Sequence, residues 1–241
     1  MPAILRLLVV VLLASAAGQS ARAETLRLMT ADIPPYSIQS GDRPGFIREL
    51  LAEMANVLGV SIETSFHPMG QAHALAQEGE NTLVFPLART PAREEKYTWV
   101  VKMFDIEASF LSAPGTPAVA GLDDARARRI GVLKGSAFAA FLADKGFTGV
   151  IDFATSAESA AKLKAGEIDI WFADATEAVA VWRAAGNTAD LVKGYRAFTG
   201  ALWLGASPKS PAIDIAAWQD AVQVLQQDGT FDRIYHSYGL K

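Results

Sequence analysis

The chain has 241 residues, of which 51% are hydrophobic and 20% charged, with a formal net charge of −4 and no cysteine. This is a globular composition, long enough for one large domain or two small ones. Without cysteine there are no disulfides, zinc–thiolate sites or lipid-modified N-terminal cysteine, and without a basic block nucleic acid is not an expected partner.

Met1–Ala23 carries Arg6, an apolar run from Leu7 to Leu13 and a closing Ala21-Arg22-Ala23. This pattern reads as a secretory signal peptide cleaved before Glu24. The apolar run is about a dozen residues, short of the ~20 that a membrane-spanning helix needs. Loss of Arg6 and Arg22 takes the formal charge from −4 to −6.

Glu24–Met29 alternates polar and apolar residues and predicts a strand. Ile33-Pro34-Pro35-Tyr36-Ser37 is a loop, because two prolines disfavour regular structure. Phe46, Ile47, Leu50, Leu51, Met54 and Leu58 recur at helical spacing until Gly59. Val60–Phe66 predicts a second strand and Ala72–Gln77 a short helix. Leu83-Val84-Phe85 is a buried strand that ends in a polar elbow, Ala88-Arg89-Thr90-Pro91. Proline just inside a helix start, preceded by a threonine, is initiation chemistry, and free amides of a first turn favour an anion. Arg93 in that turn adds a two-pronged donor for a carboxylate, although Arg89 and Arg93 can equally pair with Glu94 or Glu95 on a surface.

Phe104–Leu111 is a further extended run, broken at Ala113–Pro117. A second unit follows: a strand at Arg129–Leu133, a helix at Ala137–Lys145, a strand at Val150–Phe153 and a helix capped by Thr155 and Glu158. Ile168–Ala173 is then a buried strand, and Asp174 opens a helix for which Glu177 completes a capping box. Leu202–Ala206, Ile213–Gln227 and Thr230–Ser237 predict a last strand and two helices. Two β-α-β-α-β units imply two α/β lobes with parallel strands, with ligands beyond the strand C-termini. Residues 24–112 and 202–241 form lobe one and 113–201 lobe two. Crossings near Ser109–Pro117 and Tyr195–Trp203 make a hinge, and the cleft between lobes is a small-molecule site.

Ile33-Pro34-Pro35-Tyr36-Ser37, Gly45-Phe46 with Leu58-Gly59, Thr90-Pro91-Ala92-Arg93, Gly131-Val132 with Gly135-Ser136, Gly166-Glu167-Ile168-Asp169 with Asp174, and Asp228-Gly229-Thr230 with Ile234-Tyr235 occur in one order. That series resembles the family-3 extracellular solute-binding proteins of ABC importers. The resemblance implies a type II periplasmic-binding fold, a periplasmic and monomeric receptor, a small-molecule solute, an inner-membrane ABC permease as partner, and no cofactor or metal. It also implies that Arg93 and Thr90 grip a ligand carboxylate on lobe one, that Ser136 assists on lobe two, and that Asp174 receives an ammonium group. Tyr36 is the nearest ring of the opening loop. Ala88 stands where an amino-acid binder has a hydroxyl, Ile33 replaces an aromatic, and Ala137 replaces a second hydroxyl. The resemblance implies an amino acid or a relative of one as ligand, and the missing hydroxyls point to backbone donors in their place or to a ligand other than a simple α-amino acid.

A dehydratase of the cyclohexadienyl type is the alternative on the same fold. Asp32, Asp174 and Glu177 are its available carboxylates, and none is set apart by the sequence. A sensor domain cut from a larger receptor is not expected, because the chain ends at Lys241 without an anchor. His67, His73 and His236 lack a metal-ligand spacing. Of the five tryptophans, Trp171 lies on a strand leading towards the cleft.

Overall fold

A pair of fifteen-residue antiparallel strands runs through the computed structural model, which describes residues 24–240. The expected signal peptide at residues 1–23 lies outside the described residues. The first unit comprises β1 (Thr25–Thr30), α1 (Phe46–Leu58), β2 (Ser61–Phe66), α2 (Met69–Glu78) and β3 (Thr82–Ala88). A 3-10 turn at Pro91–Lys96 leads into β4 (Thr98–Ser112). The second unit comprises α3 (Leu122–Arg126), β5 (Ile130–Leu133), α4 (Ala137–Asp144), β6 (Val150–Phe153), α5 (Ser156–Lys164), β7 (Ile170–Asp174) and α6 (Ala175–Ala184). β8 (Val192–Ala206), α7 (Ile215–Gln227) and α8 (Thr230–Ser237) follow.

The strand order is β2-β1-β3-β8-β4-β7-β5-β6. Parallel pairs occupy both ends of this sheet, as the two repeated units require. Its middle is antiparallel, which the sequence reading did not anticipate. Strands β4 and β8 are far longer than the short runs expected at Phe104–Leu111 and Leu202–Ala206. Their ladder shifts register at four places, among them Trp99/Val101 and Lys102/Phe104. Each shift breaks the two-residue alternation by which a strand is recognised in sequence.

Strand β3 pairs with the last residues of β8, from Leu83↔Ala206 to Ala88↔Leu202. Strand β7 pairs with the end of β4, from Ala108↔Asp174 to Leu111↔Trp171. The two groups of strands therefore hang from opposite ends of one ribbon. Asp105↔Ala201, Ile106↔Gly200 and Glu107↔Thr199 bridge between them. This is a two-lobed α/β architecture with the cleft beside the bridging strands.

Helix α1 buries Phe46, Ile47, Leu50, Leu51, Met54 and Ala55, a stripe at helical period, and stops at left-handed Gly59. Helix α5 has the expected box, with the Thr155 side chain accepting from Glu158 N–H and Glu158 reaching back. Trp171 is fully buried beside Leu163, Ala178 and Trp182 in a second core cluster, away from the cleft. Among the described residues no helix is long and apolar enough to cross a membrane.

The Ile33–Ser37 loop is moored to the start of α1. The Phe46 amide donates to the Pro35 carbonyl at 2.9 Å and the Ile47 amide to that of Tyr36 at 3.1 Å. Gly45 caps this junction with φ 98°, and a Cβ there would stand 2.6 Å from the Tyr36 carbonyl oxygen. Left-handed backbone costs a residue with a side chain about 1–2 kcal/mol, and the backbone collision adds to it. Gly45→Ala should therefore lower stability by at least about 2 kcal/mol, which for a chain of this size is about 4–8 °C in Tm. Thermal unfolding followed by circular dichroism checks this, and a Tm within about 2 °C of the parent would contradict the mooring.

Candidate functional site

The C-terminal ends of β3 and β7, the proline loop and the turn after β5 surround a cavity that opens to solvent. Ile33, Met69, Ile106, Leu133, Phe138 and Leu202 give it apolar walls. Its polar groups are Tyr36, His73, Arg93, Ser136, Asp174 and Glu177.

Arg93 is a half-buried cation in no ion pair among the described residues. Its Nη1 donates to the Ala88 carbonyl at 3.1 Å, and its Nη2 lies 3.4 Å from His73 Nδ1. Burial lowers its pKa from the ordinary guanidinium value, yet a guanidinium in a protein stays charged. The turn that carries it is 3-10 rather than α-helical, and Thr90 makes no side-chain cap bond. Thr90 instead accepts the Arg93 amide through its carbonyl at 2.9 Å, and its side chain is not on the cavity wall. Ala88 is on the wall and contributes the carbonyl that holds Arg93. Arg89 turns outward, pairs with Glu94 at 2.7 Å and lies 5.0 Å from the rings of both Trp99 and Trp203.

His73 is the pocket residue that sequence reasoning missed. It is buried, and its Nε2 lies 3.0 Å from the Pro86 carbonyl. A carbonyl only accepts, so the proton sits on Nε2 and Nδ1 presents a lone pair to Arg93. Burial, reinforced by the Arg93 charge, pushes the His73 pKa down to about 4. A neutral imidazole thus orients the guanidinium without repelling it.

Asp174 closes β7 and is the N-cap of α6, only 2% exposed. Its Oδ2 accepts from the Tyr36 hydroxyl at 2.5 Å and from the Glu177 amide at 3.0 Å. Its Oδ1 accepts from the Glu107 amide of β4 at 2.9 Å. Burial raises its pKa, and the hydrogen bonds to its carboxyl pull against that rise. Tyr36 is itself fully buried, its ring packed 5.4 Å from both Phe46 and Phe104. Asp32, by contrast, is exposed and accepts from the Gln39 amide.

Glu177 does not complete the capping box expected of it. Its carboxyl turns away and accepts a hydrogen bond from the Ser156 hydroxyl. Burial, with a smaller push from the Asp174 charge, raises its pKa to about 8. It therefore stands in the cavity wall as a neutral acid at pH 7. Ser136 caps α4, accepting from the Ala139 amide at 3.2 Å, and also lines the cavity. Gly135 beside it approaches Gly70 of α2 so closely that a Cβ would meet the Gly70 amide nitrogen at 2.9 Å. The two lobes touch there, as in a closed cleft.

Residues 26–241 match the family described as bacterial extracellular solute-binding proteins, family 3, and the chain belongs to that family. It is 27% identical over 247 residues to the lysine/arginine/ornithine-binding periplasmic protein of Escherichia coli strain K12, covering 96% of this chain and 94% of the other. Among solved structures, a histidine kinase sensor domain with similarity to periplasmic binding proteins superposes with a TM-score of 0.80 at 19% identity, covering 90% of this chain and 96% of that one. An ancestral arginine-binding protein bound to arginine does so with 0.77 at 22% identity, covering 89% and 97%. The fold is accordingly the type II periplasmic-binding fold.

Glu177 sets a test of the site's electrostatics. In the unfolded chain its pKa is near 4.5, so between that value and about 8 the native state keeps a proton that the unfolded state has lost. Stability from this group is full below the unfolded pKa and is lost as pH rises through the folded one. Glu177→Gln mimics the neutral acid at every pH. Its Tm relative to the parent should rise by several degrees from about pH 5 to about pH 8. A difference that stays flat over that range would show that Glu177 is not held protonated.

Proposed function

We propose that this family-3 protein is a periplasmic solute receptor, exported through a cleaved leader at residues 1–23, that binds a small carboxylate-bearing ligand for delivery to an inner-membrane ABC permease. The observation that carries this reading is Arg93, a half-buried guanidinium on a largely apolar cavity and in no ion pair among the described residues. A charge taken from water without a partner is costly, and a ligand carboxylate supplies the partner. With Nη1 on the Ala88 carbonyl and Nη2 near His73, the guanidinium is aimed before the ligand arrives, so little side-chain freedom remains to be lost on binding.

Ser136 supports the same reading from the second lobe. Its oxygen accepts from the Ala139 amide, and its O–H is left to donate to the same carboxylate. Thr90 acts through its carbonyl, which fixes the turn under Arg93. Residues 24–112 and 202–241 serve as one lobe and 113–201 as the other, with the monomer closing over the solute by bending where β4 and β8 bridge.

One observation favours the dehydratase alternative: Glu177 is a neutral buried acid in the cavity wall, able to give a proton to a leaving hydroxyl. The receptor reading expects every bound acid to be recovered unchanged, and dehydration of a ring hydroxy-acid such as prephenate during incubation would replace it.

A thermal-shift screen of residues 24–241 against amino acids, small carboxylates and amines tests the receptor reading. A carboxylate at 100 times its Kd should raise stability by about 2.7 kcal/mol, and amines lacking a carboxylate should give no shift. Arg93→Ala should weaken the best carboxylate at least about tenfold, the loss of one charge-assisted bond of roughly 1.5–3 kcal/mol. Unchanged affinity in a calorimetric titration of that variant would remove Arg93 from the site.

A further inference from the structure

The lobes meet across the cavity at Tyr36 and Asp174 and again at Gly70 and Gly135. At the first contact the Tyr36 hydroxyl of the proline loop donates to Asp174 Oδ2 at 2.5 Å, joining residues 138 apart in sequence. At the second, the turn after β5 lies so close to the first turn of α2 that a Cβ on Gly135 would stand 2.9 Å from the Gly70 amide nitrogen. Tyr36 and Asp174 line the cavity at one contact, and Met69 and Ser136 line it at the other.

Neither end of the Tyr36–Asp174 bond is free to follow the other when the lobes part. Tyr36 is fixed in lobe one: its amide donates to the Ile33 carbonyl at 2.9 Å, and its carbonyl accepts from the Ile47 amide at 3.1 Å. Its ring packs against Phe46 and Phe104. Asp174 is fixed in lobe two, where it closes β7, caps α6 and accepts from the Glu177 amide. Its other oxygen takes the Glu107 amide of β4, so the carboxylate sits where lobe two joins the bridging strands. Rotation of lobe two about those strands draws the carboxylate off the hydroxyl and Gly135 off Gly70 in one movement. Tyr36 is 0% exposed and Asp174 2%, so water does not compete for the bond while the lobes are together. Hydrogen bonds to an ionised partner are the stronger kind, and burial keeps them so.

From this bond across the cleft we propose that Tyr36 and Asp174 form a latch, by which the protein's own groups hold the lobes closed before a solute is bound. The glycine contact permits it, because a side chain at Gly135 would keep the lobes apart. Solute enters and leaves only when the latch opens, so Tyr36 governs exchange without itself gripping the solute. The inference rests on the reading of β4 and β8 as the hinge, and it holds whatever the solute is.

The chain has no cysteine, so introduced thiols carry spin labels at chosen places. Ala52→Cys on α1 and Ala157→Cys on α5, both exposed, put one label on each lobe. Pulsed dipolar spectroscopy reads the distance between them in residues 24–241, shown to be free of solute by native mass spectrometry. The labelled parent should give mainly the one distance of the closed structure. Tyr36→Phe keeps the ring and removes the hydroxyl, and should raise the ratio of open to closed molecules about tenfold or more, as loss of a charge-assisted bond requires. That change appears as a second distance. A solute-free parent with its lobes mostly apart would overturn the latch, and so would folded Tyr36→Phe with the parent's distances. Gly135→Ala should part the lobes as well, and the parent's distances in that variant would overturn the part given to the glycine contact. The parent's own distance decides the inference even where a variant does not fold.

Discussion

Removing a charge from water costs several kcal/mol unless polar groups replace the water, and the cavity of this protein meets that demand in two opposite ways. Asp174 is compensated from within, by a hydroxyl and two backbone amides. Arg93 is only half compensated, by one carbonyl and one imidazole nitrogen, and no acid pairs with it. The protein supplies the answer to its buried anion and leaves its buried cation for something else to answer. That asymmetry is the physical content of the site.

The fold exists around it in a specific sense. Strand β4 delivers the Glu107 amide to Asp174, and β7 delivers Asp174 itself, because the two strands are paired at Ala108↔Asp174. Helix α1, through Gly45, fixes the loop that aims the Tyr36 hydroxyl across from the other lobe. Helix α2 brings His73 beneath Arg93, and the Pro86 carbonyl decides which imidazole nitrogen carries the proton. Each polar contact of the cavity thus draws on an element from a different part of the chain. Closing the lobes at Gly70 and Gly135 brings them together.

Much of this was legible in the sequence, and the reasons for the rest are physical. The helical stripe of α1, the Thr155–Glu158 box and the cap role of Asp174 are local patterns, and local patterns survive in sequence. The donors to Asp174 are not local: Glu107 lies 67 residues away and Tyr36 138. The long strands β4 and β8 hid behind their register shifts, and the Pro91–Lys96 segment, with no large apolar residue, had no apolar face to distinguish a 3-10 turn from an α-helix. His73 did leave a trace. Met69, Ala72, His73 and Ala76 fall at i, i+3, i+4 and i+7, the buried face of α2, and a histidine on such a face needs a partner. Glu177 left a false trace, since its spacing from Asp174 fits a capping box while its carboxyl serves Ser156.

A crystal structure of the protein with the tightest carboxylate found in solution tests the central claim most directly. The account expects both carboxylate oxygens within hydrogen-bonding distance of Arg93 and the Ser136 hydroxyl. A carboxylate bound away from Arg93 would contradict it.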